Sequence, residues 1–202
     1  MSDATPSSAA PRLSAGPPDS SLAFEALLAR ISRRFITLPL GEFGPAIVRT
    51  LGEIGRFMQA DRCFVFLPTE DRAVHYVAHM WTARQIADDP IVVGTVVREA
   101  FPWVHAGMCR HEDIVVPRVD DLPPEARREL EYCRQTGIQS FLMCPMYSAE
   151  AVVGNLGLDA IRARRDWSDT DRRRLRLFGE VVAAEICRFT AVGPPQLPGT
   201  TG

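Results

Sequence analysis

The chain has 202 residues, 46% of them hydrophobic and 24% charged, with a formal net charge of −2; this fits one domain with a real core and gives no general attraction to nucleic acid or an anionic membrane. All 23 basic side chains are arginine, which excludes a Schiff-base lysine and a lysine-bearing Walker phosphate loop and reads as a GC-rich coding bias, a hint of a bacterial source. Five scattered cysteines (Cys63, Cys109, Cys133, Cys144, Cys187) never fall in a Cys-x-x-Cys spacing, which argues against a disulfide framework or zinc ribbon and for a reducing cytoplasm; the N-terminus lacks signal-peptide features, and no run is long enough to span a bilayer.

In chain order, residues 1–20 are rich in Ser, Pro and Ala and are expected to be a disordered tail, as are residues 191–202. Between them, over 21–190, Phe24, Leu28, Ile31, Phe35 and Leu38 recur at steps of four and three, the seam of a helix that packs against another helix, and Pro39 and Gly41 end it. A second helix carries Phe43, Ile47, Leu51, Ile54 and Met58 on one face, with Pro45 in its first turn. Short β-branched and aromatic runs, Cys63 to Leu67 and Val74 to Trp81, read as a hairpin, with the first strand apolar on both faces and hence central. Ala83 to Val93 reads as loop, Val97 to Arg110 as a helix interrupted by Pro102, and Asp113 to Val119 as a strand. A polar helix ends at Gly137, a residue suited to the left-handed closing position. Phe141 to Tyr147 and Val152 to Ile161 form a second hairpin. The last helix opens at Ser168, with Asp171 answering three residues on, and buries Leu175, Phe178, Val182, Ile186 and Phe189. Hairpins at both ends of the strand series imply an antiparallel sheet faced by helices. No internal repeat is visible.

Several stretches in this order resemble the GAF domain family: Phe57-Met58-Gln59-Ala60-Asp61-Arg62 entering the first strand, His79-Met80-Trp81 ending the second, Phe101-Pro102-Trp103, Asp121-Leu122-Pro123-Pro124-Glu125-Ala126, Gly137-Ile138-Gln139-Ser140, and Val153-Gly154-Asn155-Leu156-Gly157-Leu158-Asp159 followed by Arg162, Arg165 and Trp167-Ser168. The resemblance implies an α+β, GAF/PAS-like fold: a central, mostly antiparallel sheet of five to six strands, the N- and C-terminal helices on one face, and on the other a pocket roofed by short helices from residues 96 to 137. It implies a sensory or regulatory domain of bacterial signal transduction that binds an unidentified small molecule; no output domain is visible, so it is expected to act on a partner protein, and the alternating seams of the first and last helices suit a homodimer formed through them. Neither membrane nor nucleic acid is expected as a partner, and no cofactor is assigned. The Asn-Lys-Phe-Asp-Glu signature of cyclic-nucleotide binders and the bilin-attachment motifs are absent, and the Cys-His pair of related photoreceptors is broken as Cys109-Arg110-His111.

Strand alternation places His75, Val77, His79 and Trp81 on one face of the second strand, either to orient a ligand, with one histidine as a possible axial haem ligand, or as hydrogen-bonded residues near a sheet edge. The expected ligand-binding residues are His79, Trp81, Trp103, Met108, Phe141, Met143, Leu156 and Leu158, unless these simply pack as core. His105, Cys109 and His111, with Cys133 or Cys144, either hold a metal in no standard zinc spacing or form a surface cluster at a helix end. Cys109 and Cys133 in the roof leave open a thiol-dependent reductase of free methionine sulfoxide, a known activity of the fold; a ligand-free dimerisation module is the remaining alternative. The basic stretch from Arg162 to Arg176 is interleaved with Asp166, Asp169 and Asp171 and reads as a solvated, partly paired face.

Overall fold

In a computed structural model, residues 19–86 and 91–190 are described; the expected terminal tails and part of the Ala83 to Val93 loop lie outside them. Helix α1 (Asp19–Ile36) and helix α2 (Phe43–Phe57) follow the expected periodicity, the latter after a 3-10 turn at Leu40–Glu42. Phe24, Leu27, Ile31 and Phe35 bury the α1 stripe, with Leu28 at its margin, while Ile47, Leu51 and Ile54 are fully enclosed. Strands β1 (Arg62–Pro68) and β2 (His75–Thr82) form the first hairpin, and β4 (Ser140–Ser148) and β5 (Ala151–Ala160) the second. Between them run α3 (Val97–Ala100), α4 (Pro102–Cys109), β3 (Ile114–Val116) and α5 (Arg127–Thr136). Pro102 divides the third helix as expected, and Gly137 closes α5 at φ 74°. The strand expected over Asp113 to Val119 is shorter because Pro117 has no N–H to donate to a ladder. Helix α6 (Asp169–Thr190) opens with the expected reciprocal cap: Asp171 N–H donates to Ser168 Oγ and Ser168 N–H to Asp171 Oδ2.

The five strands form one antiparallel sheet in the order β2-β1-β5-β4-β3, which puts β5 at its centre. Two apolar cores sit on its two faces. On one side α1, α2 and α6 cover Cys63, Val65, Leu142, Cys144, Leu156 and Leu158. On the other, α3, α4 and α5 form a roof over Phe64, Phe66, Val77, Phe141 and Met143. Packing between α2 and β2 is close because Gly52 and Gly55 receive the Trp81 indole; a Cβ at Gly55 would lie 2.4 Å from it.

One irregularity decides which β2 residues reach the roof. Val65 pairs with His79 but Phe66 pairs with Val77, so Ala78 is an extra residue, a β-bulge. The face expected to carry His75, Val77, His79 and Trp81 together is therefore split. His75 and Val77 face the roof side, where His75 stacks edge-on against His105 and Val77 joins the roof core. His79 and Trp81 face the helices, against Phe43 and α2 respectively.

Candidate functional site

Beneath the roof, a cavity of about 50 Å³ is lined by Phe64, Phe66, Val77, Met80, Ile91, Phe101, Val104, Ile138, Phe141 and Met143, with Arg62, Asp159, Glu129, Tyr132 and Cys133 as its polar groups. Its floor comes from the alternation of the central strand. Asn155, Gly157 and Asp159 point to the roof while Leu156 and Leu158 point to the helices. Opposite Gly157 on β1 stands Phe64, whose ring fills the place of the missing side chain: a Cβ there would come within 2.0 Å of it. Opposite Asp159 stands Arg62, only 2% exposed; its Nη1 lies 3.7 Å from Asp159 Oδ2 and 3.5 Å from the Tyr132 hydroxyl. A charge this deep is held by such partners, since burying it alone costs several kcal/mol.

The third charged group belongs to the roof. Glu129 on α5 is 2% exposed, and its Oε1 accepts hydrogen bonds from the N–H groups of Trp103 (2.7 Å) and Val104 (3.2 Å) at the start of α4. The carboxylate thus caps a helix whose own N-cap residue, Phe101, offers no side-chain acceptor. Its Oε2 is buried and has no hydrogen-bond partner among the described residues. One step along the floor, both amide atoms of Asn155 are buried and equally unpartnered. Unsatisfied buried polar atoms are few in native proteins, and each calls for an explanation such as a bound water, an ion, strain or a functional role.

Of the residues expected to bind ligand, Phe141 and Met143 line the cavity, and so does Cys133, expected only as a thiol of the reductase alternative or a metal ligand. Met108 and Trp103 belong to the roof core without lining it. His79, Trp81, Leu156 and Leu158 lie in the helix-side core, the first two because of the bulge and the leucines because the opposite parity of β5 faces the roof. Arg62, Glu129, Tyr132 and Asp159 were missed by sequence reasoning. The available signal was the run Asn155-Leu156-Gly157-Leu158-Asp159, in which the polar and small residues share one parity and the leucines the other.

The two roof cysteines do not share a site. Cys133 lines the cavity, where burial, then the carboxylates of Asp159 and Glu129, push its thiol up, the reverse of what a thiolate nucleophile needs. Cys109 is exposed and borders a separate cleft near His75 and His111. Along the basic stretch, Arg162 pairs with Asp61, Arg165 with Asp171, Arg172 with Asp169 and Arg176 with Asp113, in keeping with a solvated, internally paired face.

Residues 46–186 match the family model described as GAF domain. The chain belongs to the GAF domain family. Its fold is shared by the phycocyanobilin-bound GAF domain of a cyanobacterial phytochrome, at 16% identity and a TM-score of 0.66, covering 84% of this chain and 96% of that one. The GAF domain of an Acinetobacter phosphoenolpyruvate-protein phosphotransferase is similar at 16% identity and a TM-score of 0.64 (85% and 97% covered), and that of its Coxiella burnetii counterpart at 15% and 0.63 (86% and 98%). At these identities the likeness is one of fold. No curated protein matches the sequence. Among the described residues of this GAF domain, no helix is long and apolar enough to cross a membrane.

Proposed function

We propose that this GAF domain is a small-molecule sensor of bacterial signal transduction, working in the cytoplasm on a partner protein. The observation that carries the reading is the buried Glu129 Oε2, without a hydrogen-bond partner among the described residues at an apolar cavity that also holds the Arg62–Asp159 pair. Apolar walls with a few convergent polar groups are the usual make-up of a ligand site. The ligand that suits these groups is compact, mostly apolar, and donates a hydrogen bond to Glu129. A cavity of about 50 Å³ is far below the roughly 300 Å³ or more that a drug-sized ligand occupies, so a tetrapyrrole is not the occupant of this arrangement. Binding favours one position of the roof on the sheet and shifts the population toward it. The helix layer on the other face carries the change outward, and the exposed Leu22, Ile36 and Leu177 on α1 and α6 support a homodimer there. Five free thiols suit a reducing compartment.

Native mass spectrometry of the full chain, with an absorption spectrum of the same sample, tests the reading. A small mass that co-purifies and is released on unfolding is the expected result. A bare protein mass under all conditions, particularly that of a dimer, overturns the sensor reading in favour of a ligand-free interaction module.

A further inference from the structure

Outside the cavity, three side chains with metal-binding atoms converge at the outer edge of the sheet. His105 and Cys109 stand one helical turn apart on the same face of α4, and Cys109 Sγ lies 3.8 Å from each ring nitrogen of His105. The bulge at Ala78 turns His75, at the start of β2, toward the same spot, where its ring centroid is 5.4 Å from that of His105. One ligand atom from each of the three lies within 4.8 Å of the others. Both histidines are 8% exposed, and the Nδ1 of His75 is buried with no hydrogen-bond partner among the described residues. Nothing in the packing of β2 or α4 accounts for a bare imidazole nitrogen placed beside a second imidazole and a thiol.

We propose that His75, His105 and Cys109 form a binding site for a borderline-soft divalent cation, with zinc as the best match. Two imidazole nitrogens and one thiolate are the donors zinc selects, and three protein ligands leave a fourth position open. Bond lengths of about 2.0–2.3 Å put tetrahedral ligand atoms about 3.3–3.6 Å apart. The cluster must therefore contract by about 1 Å, which a turn of the His105 ring and of the exposed Cys109 side chain provides. Binding forms the metal–sulfur bond as the thiol proton leaves to solvent. The open position faces a cleft of about 190 Å³ bordered by Arg72, His111 and Gly154, which admits water or an anion as the fourth ligand. Such a centre would clamp the roof helix to the sheet edge, so the metal state would set how freely the roof moves.

The test uses the full chain, stripped with chelator and titrated separately with Zn²⁺ and Co²⁺. One equivalent of Co²⁺ should give a thiolate-to-cobalt charge-transfer band, and Zn²⁺ should raise the melting temperature and displace the cobalt. Cys109→Ser, at an exposed position that spares the fold, should abolish the band and weaken zinc binding by at least about 100-fold, the upper end of what outer-shell changes alone cost. His75→Gln should lose tight binding as well, whereas Cys187→Ser should behave as the parent chain. Absence of the charge-transfer band in the parent chain, or a band and affinity unchanged in Cys109→Ser, overturns the proposal.

Discussion

Asp61 is a residue whose role lies almost entirely in what the chain brings back to it. Its side chain is 4% exposed; Oδ2 accepts the N–H groups of Ile161 and Arg162, and the Arg162 guanidinium donates to Oδ1, fixing the exit from β5. Burial pushes this carboxyl up, but the two backbone hydrogen bonds and Arg162 outweigh it, and it is held below its ordinary value of 3.8. The unfolded chain then takes up the proton first, so the stabilisation is complete above that value and is lost as the pH falls through the lower folded one. Asp61→Asn should cost about 1.5–3 kcal/mol at neutral pH, as expected for hydrogen bonds to a charged group, with the gap closing in acid; urea melts of both proteins from pH 7 to 2.5 would read it. Gly157→Ala acts at the cavity. The new methyl displaces the Phe64 ring into the remaining space, which should cost about 1–3 kcal/mol and eliminate any co-purifying mass in native spectra. These two positions mark what the sequence conveys at this scale. The parity of Asn155, Gly157 and Asp159 is visible in the letters, but the partners Arg62, Glu129 and Ile161 come from distant segments, and no local pattern pairs them. The bulge at Ala78 has no local signature either, since neither Gly nor Pro marks it, and so His79 and Trp81 were expected on the wrong face.

At the scale of elements, helices with one long apolar stripe were the most legible, because burial against a sheet demands that periodicity: every stripe residue expected for α6 is buried. The roof was less so. Its helices are short, and α4 depends for its N-terminal N–H groups on Glu129 from the following helix, a tertiary cap that no capping motif announces. The junction of α2 with β2 offers a direct test of element packing. Gly55→Ala puts a methyl 2.4 Å from the Trp81 ring, so α2 must lift or the indole must turn, at about 1–3 kcal/mol. Trp81 fluorescence should shift and the melting temperature fall; an unchanged emission spectrum would mean that the indole does not rest in that notch.

For the whole molecule, the order of elements carried the fold, since two hairpins with intervening short helices leave few ways to close an antiparallel sheet. Association is less legible. The alternating seams of α1 and α6 are largely consumed inside the chain, against α2 and the sheet, and what remains outside is a set of separate apolar side chains: Leu22 and Ile36 at the two ends of α1 and Leu177 on α6. On the proposed mechanism, such a surface would give at most a weak dimer. Analytical ultracentrifugation at tens of micromolar, about the range where micromolar association is resolved, should show a monomer–dimer equilibrium that Leu177→Glu shifts to monomer. A single monomeric species in the parent chain would remove dimerisation from the proposed mechanism.

Strand β2 is anchored in both compartments of the molecule, by His75 and Val77 above the sheet and by Trp81 below it, and the extra residue at Ala78 sets which of these alternate residues faces which way. A pull on its first half would reach α2 along covalent backbone, as through a tie rod. Deleting Ala78 would leave Val65 opposite His79 and Phe66 opposite Val77, so the strand would pair without its bulge and keep both anchors, drawn one residue closer together.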